Sequence, residues 1–333
     1  MRILVAVVII GALGWSAFWW LGARAVDRDL TAWVADRQNT GWVAHIDDIQ
    51  TRGFPNRFDT TLSGVELADP NTGIAWTAPF FQVFRLSYEP GHIIAIWPQD
   101  QMIATPNQRI NITTERARAS FVFETNQNWT LDRSNIAVND AKLTSNRDWS
   151  AEIAEVLLAT RMSDRVPGAI DIGFDAKDIR PANPALRKLA QMDVVPGVFE
   201  STKIDASLTF DRPWDRFAIE TARPNLTALD LHKMQLNWGQ LELWAAGELQ
   251  FDAQGRATGS ITVKAKNWRE ILQLLVATGW LPTGIANPLE TGLELLATLA
   301  GSKTTLDAPL TIKDGSMSFG PIPLGTIPAL KIR

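Results

Sequence analysis

The residues that could support acid–base or metal chemistry are few and far apart. The three histidines are His45, His92 and His232, and none has a second histidine three or four residues away, as a helical zinc site requires. Asp47 and Asp48 lie near His45, but adjacent residues of a strand point to opposite faces, so a shared cation site needs a local turn. An isolated histidine is ordinarily a surface or strand residue, and we expect no metal site.

Motifs for a nucleophile or a cofactor are missing from the sequence. Ser318 follows Ser316 rather than a glycine two residues before it, so this segment does not fit a nucleophile elbow and indicates a hairpin turn. The absence of cysteine excludes disulfides, thiolate catalysis and cysteine-ligated metals. We therefore predict no catalytic residue and no cofactor. If the protein were nevertheless a hydrolase without a recognisable motif, it would need a cleft in which His92 or His232 meets a carboxylate or a serine.

The composition is that of a folded protein without a preference for nucleic acid. Charged residues make up 20% of the 333 residues, hydrophobic residues 46%, and the net charge is −4. Phosphate binding needs a concentrated basic face, which the sequence does not contain. About 310 residues follow the first apolar segment, enough for one large β domain or two ordinary ones.

The first segment, Ile3 to Leu21, is uncharged over nineteen residues. At about 1.5 Å per residue it covers roughly 28 Å, which matches a hydrocarbon core of about 30 Å. Trp15, Trp19 and Trp20 lie at its far end, where indole rings prefer the boundary of lipid and water. We predict a transmembrane signal anchor over residues 1–22, in the inner membrane, with the C-terminal body in the periplasm.

A cleaved signal peptide is the second interpretation of this segment. Ala23-Arg24-Ala25 has the small-x-small form of a cleavage site after Ala25. The apolar run exceeds the usual length of about 7 to 15 residues for a signal peptide, and Trp19 and Trp20 precede the site, which favours retention. Both interpretations place the body outside the cytoplasm.

After the anchor the sequence predicts one helix and then a β-rich body. Residues 23–40 place Val26, Leu30 and Trp33 on one helical face, so we expect a juxtamembrane helix. Apolar and polar residues then alternate with a period of two, which predicts a first β-rich lobe over residues 41–146.

The apolar positions of the first long strand change phase in its middle. They are Phe58, Thr60, Leu62, Val65 and Leu67. A one-residue shift at Gly64 is what a β-bulge containing glycine would produce, so we predict a bulge there.

The second half of the chain is predicted to contain helices as well as strands. Ile153, Val156, Leu157 and Thr160 have helical spacing, so we expect a helical connector over residues 147–168. The second β-rich lobe is expected over residues 169–333, with helices near 184–192, 268–278 and 288–300. The predicted fold class is mainly β (α+β), either an elongated, curved antiparallel sheet or two β lobes, with several amphipathic helices and one N-terminal transmembrane helix.

Two segments are candidates for binding a partner. One is a candidate interaction loop that packs two aromatics, a proline and an arginine together: Phe54, Pro55, Arg57 and Phe58. Its structural alternative is a tight turn before the first long strand, with both phenylalanines as core anchors. The other is a candidate apolar groove or membrane contact made of leucines at helical spacing and one tryptophan: Leu289, Leu293, Leu296, Leu299 and Trp280.

Three segments carry a resemblance to a known family. Over Arg52–Asp59, Trp76–Pro79 and Tyr88–Ala95 the sequence resembles an uncharacterised family of alphaproteobacterial envelope proteins. This resemblance implies an envelope location, and the family has no established activity or catalytic residues to carry over.

A looser resemblance rests on the anchor together with one hairpin. The pattern Ala246–Leu249, followed by Asp252, Gly255, Gly259, Ile261 and Val263, is similar to AsmA-like envelope proteins. The resemblance implies a long curved β-sheet with an apolar inner groove, implicated in moving phospholipid between membranes. The roughly 13 to 15 strands expected here, at about 4.8 Å each, give a sheet of about 60 to 70 Å, too short to bridge two membranes alone.

These observations lead to three hypotheses. The first is a membrane-anchored periplasmic β-sheet protein that binds or helps to transfer lipid or another amphiphile, with the inner membrane and phospholipid as partners. The second is a non-catalytic scaffold or assembly factor whose partners are envelope proteins, and the third is the unrecognised hydrolase. An apolar sheet face that lines an open groove favours the first hypothesis, whereas a filled core does not.

Overall fold

The computed structural model describes residues 1–184, 197–220, 223–277, 281, 283–299, 301–302, 304–320 and 322–330. Its strands form one sheet of eighteen strands with antiparallel pairing. One long apolar helix precedes the sheet. This confirms the prediction of a mainly β protein with one N-terminal helix long enough to cross a membrane.

The elements have the following bounds. The helices are α1 Arg2–Asn39, α2 Arg216–Glu220, α3 Trp268–Ala277 and α4 Thr283–Leu299. The first nine strands are β1 Val43–His45, β2 Asp48–Arg52, β3 Arg57–Asp69, β4 Ile74–Leu86, β5 Glu89–Trp97, β6 Asp100–Thr105, β7 Gln108–Thr113, β8 Arg116–Phe123 and β9 Leu131–Ser145. The others are β10 Ser150–Met162, β11 Ala169–Ala182, β12 Phe199–Phe210, β13 Leu226–Trp238, β14 Leu241–Phe251, β15 Ala257–Lys266, β16 Thr305–Lys313, β17 Ser316–Phe319 and β18 Ile322–Thr326.

Helix α1 joins the predicted anchor and the predicted juxtamembrane helix into one element of 38 residues. The predicted boundary between the two segments, at residues 22 and 23, contains no proline and no pair of glycines. The helix therefore continues across it. It ends where the Thr40 N–H donates to the Asp36 carbonyl at 3.1 Å. Its most apolar 18-residue window has a mean hydropathy of 2.1, and none of that window is buried against the rest of the protein.

The strands follow one another as a meander with a divided section near the start. β1 and β2 both pair with β3, and β3 pairs with β4. β4 pairs with β5 along one half and with β6 along the other, and these continue through β8 and β7 to the long β9. From β9 to β18 each strand pairs with the next. Most connections are short, as a meander requires.

The helical connector predicted for residues 147–168 is wrong. Residues Ser150–Met162 form strand β10, which pairs with β9 on one side and β11 on the other. The segment also alternates with a period of two at Val156, Leu158 and Thr160, and pairing on both edges satisfies the backbone along nearly its whole length. The sheet therefore continues without a break where we expected two lobes to meet.

The C-terminal helices cover the far end of the sheet. α3 occupies the position of the helix expected near 268–278, and α4 starts at Thr283, before the expected start at Pro288, which lies inside it. The helix expected near 184–192 falls mostly outside the described residues.

Buried apolar side chains concentrate at this end of the sheet. The largest cluster joins α3 and α4 to β15, β16 and β17: Ala265, Trp268, Leu272, Leu281, Leu289, Leu293, Ala297, Leu306, Ala308 and Phe319. Two smaller clusters lie beside it, around Phe251 and around Trp238. In the part of the chain that is described, the C-terminal third thus has the character of a conventional core.

Candidate functional site

One face of the sheet is apolar from its first long strand almost to its last. Directly paired residues of neighbouring antiparallel strands point to the same face. One set of such paired residues runs across twelve strands, and we call it the central row. Its members are Thr60, Val83, Ala95, Ala119, Ile136, Leu158, Phe174, Ile204, Met234, Ala245, Val263 and Ala308. At about 4.8 Å per strand the row is about 50 Å long along the sheet. Only Thr60 in it is polar.

A second row beside it has the same character. It runs through Trp97, Ala117, Val138, Val156, Ala176, Thr202, Leu236, Leu243, Ala265 and Leu306. The apolar surface is therefore several residues wide as well as long.

The opposite face of the sheet is polar and carries cross-strand ion pairs. Lys177 Nζ lies 2.6 Å from a Glu155 carboxylate oxygen, and Lys266 Nζ lies 2.7 Å from a Glu242 oxygen. Opposite charges on directly paired residues suit a face in water. The two faces thus have different roles, and only the apolar one needs a cover.

The apolar face has helices over its two ends and half-exposed side chains in its middle. α1 contacts β1 and β2, whereas α3 and α4 contact β14 and β16. Between these ends Ile136, Leu158, Phe174 and Ile204 are only half-buried and belong to none of the three buried clusters. Within the described residues, the middle of the face is an open apolar strip rather than a filled core.

An apolar cavity lies at the beginning of this face, under α1. This N-terminal cavity has a volume of about 390 Å³ and lies between α1 and strands β3, β4 and β5. α1 contributes Val26, Leu30 and Trp33, the side chains that the sequence places on one helical face. Arg85 of β4 is the one charged residue among the described residues that line it.

The phase change of β3 brings both halves of that strand to this cavity. Phe58 and Leu62 line it from one side of Gly64, and Val65 and Leu67 line it from the other. Gly64 has a φ of +59°, a left-handed conformation that glycine adopts without penalty. The pairing with β4 keeps one register on both sides of Gly64, so the phase changes without an inserted residue. The predicted bulge is therefore wrong. The predicted change of phase is present, because Leu62 and Val65 on the two sides of Gly64 both line the cavity.

A second apolar cavity of about 500 Å³ lies at the far end of the same face. This C-terminal cavity lies between α3, α4 and strands β13 to β18, and Met234, Ala245, Val263 and Ala308 of the central row line it. The central row therefore begins in one cavity and ends in the other.

The predicted leucine stripe of the C-terminal helix faces this second cavity. Leu289 and Leu293 are buried and line it. For Leu296 and Leu299 the structure describes only the backbone of α4, and Trp280 lies outside the described residues. The two described leucines thus pack inward toward the sheet.

The candidate interaction loop packs against α1. Trp15 Nε1 donates to the Pro55 carbonyl at 2.9 Å, and Trp19 Nε1 donates to the Arg57 carbonyl at 2.7 Å. The Trp19 ring stacks on Phe58 at 5.8 Å between centroids and meets the Phe54 ring edge-on at 5.6 Å. The loop thus fastens the sheet to the C-terminal end of the apolar segment.

This contact depends on a small residue in α1. A Cβ atom at Gly22 would lie 2.7 Å from Cζ of Phe58, well inside van der Waals contact. Phe58 is almost fully buried, whereas 55% of Phe54 is exposed. Of the two phenylalanines proposed as core anchors, Phe58 is buried in this way and Phe54 is not.

Two of the three histidines meet hydroxyl groups, which the sequence alone does not reveal. His92 Nε2 lies 2.9 Å from Ser120 Oγ, and His232 Nε2 lies 2.9 Å from Ser207 Oγ. His232 Nδ1 lies 3.4 Å from an Asp230 oxygen. The second group has the order of a Ser-His-Asp triad, so its hydrogen bonds decide what it can do.

The direction of these hydrogen bonds opposes nucleophilic catalysis by Ser207. Ser207 Oγ donates its only hydrogen to Asp171 Oδ1 at 2.6 Å, and Ser207 is 2% exposed. Burial of Asp171 favours its neutral form, but hydrogen bonds from Ser207, Ser163 and Arg165 outweigh it and hold the pKa of Asp171 below its ordinary value. His232 Nε2 must therefore donate to Ser207 and cannot accept its proton. The arrangement is suited to tying β11, β12 and β13 together.

The described residues contain no group of three or more histidine, aspartate or glutamate side chains arranged to hold a metal ion. The cluster of Asp171, Ser207 and His232 was not predicted from the sequence, because its members come from three different strands. Each looks like an ordinary polar-face residue in the sequence, and only the register brings them together.

Comparison with known proteins places the chain in a family. No curated protein and no solved structure matches the chain. The family model described as "Uncharacterized protein conserved in bacteria (DUF2125)" matches residues 19–328. The match begins inside α1 and ends beyond β18, so it includes both cavities and the whole central row. The chain therefore belongs to this family of uncharacterised bacterial proteins.

Proposed function

We propose that this protein is a membrane-anchored binding protein of the cell envelope, which binds lipid or another amphiphile along the apolar face of its sheet and helps to transfer it. The observation that carries the proposal is the central row, an apolar path that joins two cavities and is only half-buried from Ile136 to Ile204. Large exposed apolar surfaces on folded proteins mark interaction sites.

The position of α1 supports a lipid as the ligand. In this proposal its apolar segment spans the inner membrane and the body lies in the periplasm, the orientation expected of a signal anchor. Val26 lies seven residues beyond Trp19, which corresponds to about 10 Å along the helix. The N-terminal cavity would then begin close to the headgroups of the bilayer, where an acyl chain could enter it. The resemblance to AsmA-like proteins points to the same kind of ligand.

A scaffold or assembly factor is the alternative within the same membrane location. The loop at residues 53–58 was its candidate contact, and the hydrogen bonds to Trp15 and Trp19 engage the backbone of that loop within the chain. The scaffold hypothesis would therefore need an envelope protein that binds the open strip of the sheet instead of the loop.

Two adjacent leucines provide the test. Leu158 belongs to the central row, whereas Leu157 points to the opposite face and is 40% exposed. We expect a photoreactive amino acid at position 158 of the full chain in bacterial membranes to form adducts with lipid, and the same amino acid at position 157 to form none, as measured by mass spectrometry of the purified chain. Equal lipid labelling at both positions would contradict the proposal. Adducts with a protein at position 158 would support the scaffold instead.

A further inference from the structure

The N-terminal cavity contains a cation, Arg85, for which the described residues provide no counter-ion. Arg85 lies on β4 directly between Phe58 of β3 and Ile93 of β5, so its side chain points to the apolar face. No ion pair and no hydrogen bond joins its guanidinium to another described residue. A guanidinium carries five N–H donors and no acceptor, so the group can still bind an anion.

The surroundings of Arg85 make an anion favourable. The guanidinium carbon lies 5.4 Å from the centroid of the Phe58 ring, and burial lowers the pKa of Arg85 below its ordinary value. A partly desolvated charge without a partner is costly, and pairing with an anion offsets this cost. Among the described residues that line the cavity none is a carboxylate, so the anion must come from outside the chain.

The location of Arg85 indicates which end of a ligand it would meet. The Phe58 ring that Arg85 approaches also stacks on Trp19, at the outer end of the apolar segment of α1. Leu67 and Trp76 line another part of the same cavity and are apolar. The cavity therefore has a cationic site next to the membrane end of α1 and apolar walls beyond it.

We propose that the N-terminal cavity binds an acyl chain of an anionic membrane phospholipid, with the lipid phosphate paired to Arg85. This inference rests on the proposed function and names the class of lipid. Arginine pairs with phosphate through two parallel hydrogen bonds, which fixes the headgroup as well as attracting it. A zwitterionic headgroup would bring a second, positive charge for which the cavity lining offers no carboxylate. The volume of about 390 Å³ is in the range of small-molecule sites.

The test compares two lipids that differ only in the headgroup, one with a net negative charge and one that is zwitterionic. The full chain is reconstituted in phosphatidylcholine vesicles that contain a small, equal fraction of photoactivatable phosphatidylglycerol or photoactivatable phosphatidylcholine with the same acyl chains. We expect phosphatidylglycerol to give several-fold more adducts on peptides from β3, β4 and β5. Arg85→Gln should remove this excess and Arg85→Lys should keep most of it, because lysine keeps the charge.

A matched control comes from another arginine of the same sheet. Arg118 of β8 is exposed and lies between Ala117 and Ala119, whose side chains are on the apolar face, so Arg118 itself faces the polar side. Arg118→Gln should leave the preference for phosphatidylglycerol unchanged.

The outcomes separate this inference from the proposed function. Equal labelling of the cavity by both lipids, or a phosphatidylglycerol excess that survives Arg85→Gln, would overturn the assignment of Arg85 and leave lipid binding in place. Labelling by neither lipid, in the cavity or along the central row, would overturn both.

Discussion

The two ends of the apolar face are covered in different ways. At the C-terminal end α3 and α4 bury leucines such as Leu272 and Leu293 against the sheet. At the N-terminal end the cover is a continuation of the apolar helix α1, and the lining includes Arg85. The dedicated helices at the C-terminal end thus pack leucines into a core that borders the C-terminal cavity. A cover supplied by the long apolar helix leaves a cavity that contains a charged side chain.

The largest expected effect tests the C-terminal end as a core. Leu241→Ala should lower the free energy of unfolding by about 3 kcal/mol, because Leu241 is buried against Trp238 and Ile271 and lines neither cavity, so truncation opens a new void. Leu62→Ala removes the same atoms from the N-terminal cavity, where space already exists, and should cost about half as much. Thermal unfolding of both variants measures the difference. Equal losses would show that the two ends are packed alike.

A smaller effect tests whether both ends belong to one cooperative sheet. Asp171→Asn removes the charge that binds Ser207 of β12 and Arg165 of the connection between β10 and β11, and it should cost about 2 kcal/mol at pH 7. Protease-resistant fragments of both ends should then be lost together on heating. Loss of one end alone would show that they unfold independently.

The same variant has an expected pH dependence. The pKa of Asp171 is lower in the folded protein than in the unfolded chain, so its contribution is fully present above the unfolded value and is lost as the pH falls through the folded value. The stability difference between the wild-type protein and Asp171→Asn should therefore shrink below about pH 4. A difference that stays constant down to pH 2 would contradict an ionised Asp171.

The smallest effect concerns the N-terminal end alone. Gly22→Ala places a methyl group against Phe58, which must move, and should cost about 1 kcal/mol or less and loosen β2 to β5. Gly14→Ala is the matched control on the same helix, because nothing lies within 4 Å of the added carbon. Hydrogen exchange of these strands in the full chain measures the loosening. If both variants changed the exchange rates of these strands, or if neither did, the contact between Gly22 and Phe58 would not be what holds this end of the sheet.

Local patterns predicted the parts of the site that lie on single elements. The spacing of Val26, Leu30 and Trp33 identified the face of α1 that covers the N-terminal cavity, and the phase change at Gly64 identified the wall of β3. Both are periodicities within one element, which sequence displays directly.

The missed features depend on which strands are neighbours. β10 has a helical spacing of apolar residues as well as an alternating one, and pairing with β9 and β11 decides between them. Arg85 continues the alternation of Phe81 and Val83 along β4, so in the sequence it resembles an ordinary strand residue. Its charge is unusual only because α1 covers this part of the sheet and encloses the side chain in an apolar cavity. The cluster of Asp171, Ser207 and His232 requires the register of three strands.

The continuity of α1 has a mechanical consequence for the proposed lipid site. One uninterrupted helix carries both the apolar segment and the side chains over the cavity, so the two turn as a rigid rod. Helices in membranes tilt to match their apolar length to the thickness of the bilayer. Because Trp15 and Trp19 of α1 also hold the loop at residues 53–58, a change in tilt would turn the sheet together with the helix. In the proposed orientation, bilayer thickness would then set the angle between the apolar face of the sheet and the membrane, without any further moving part in the protein.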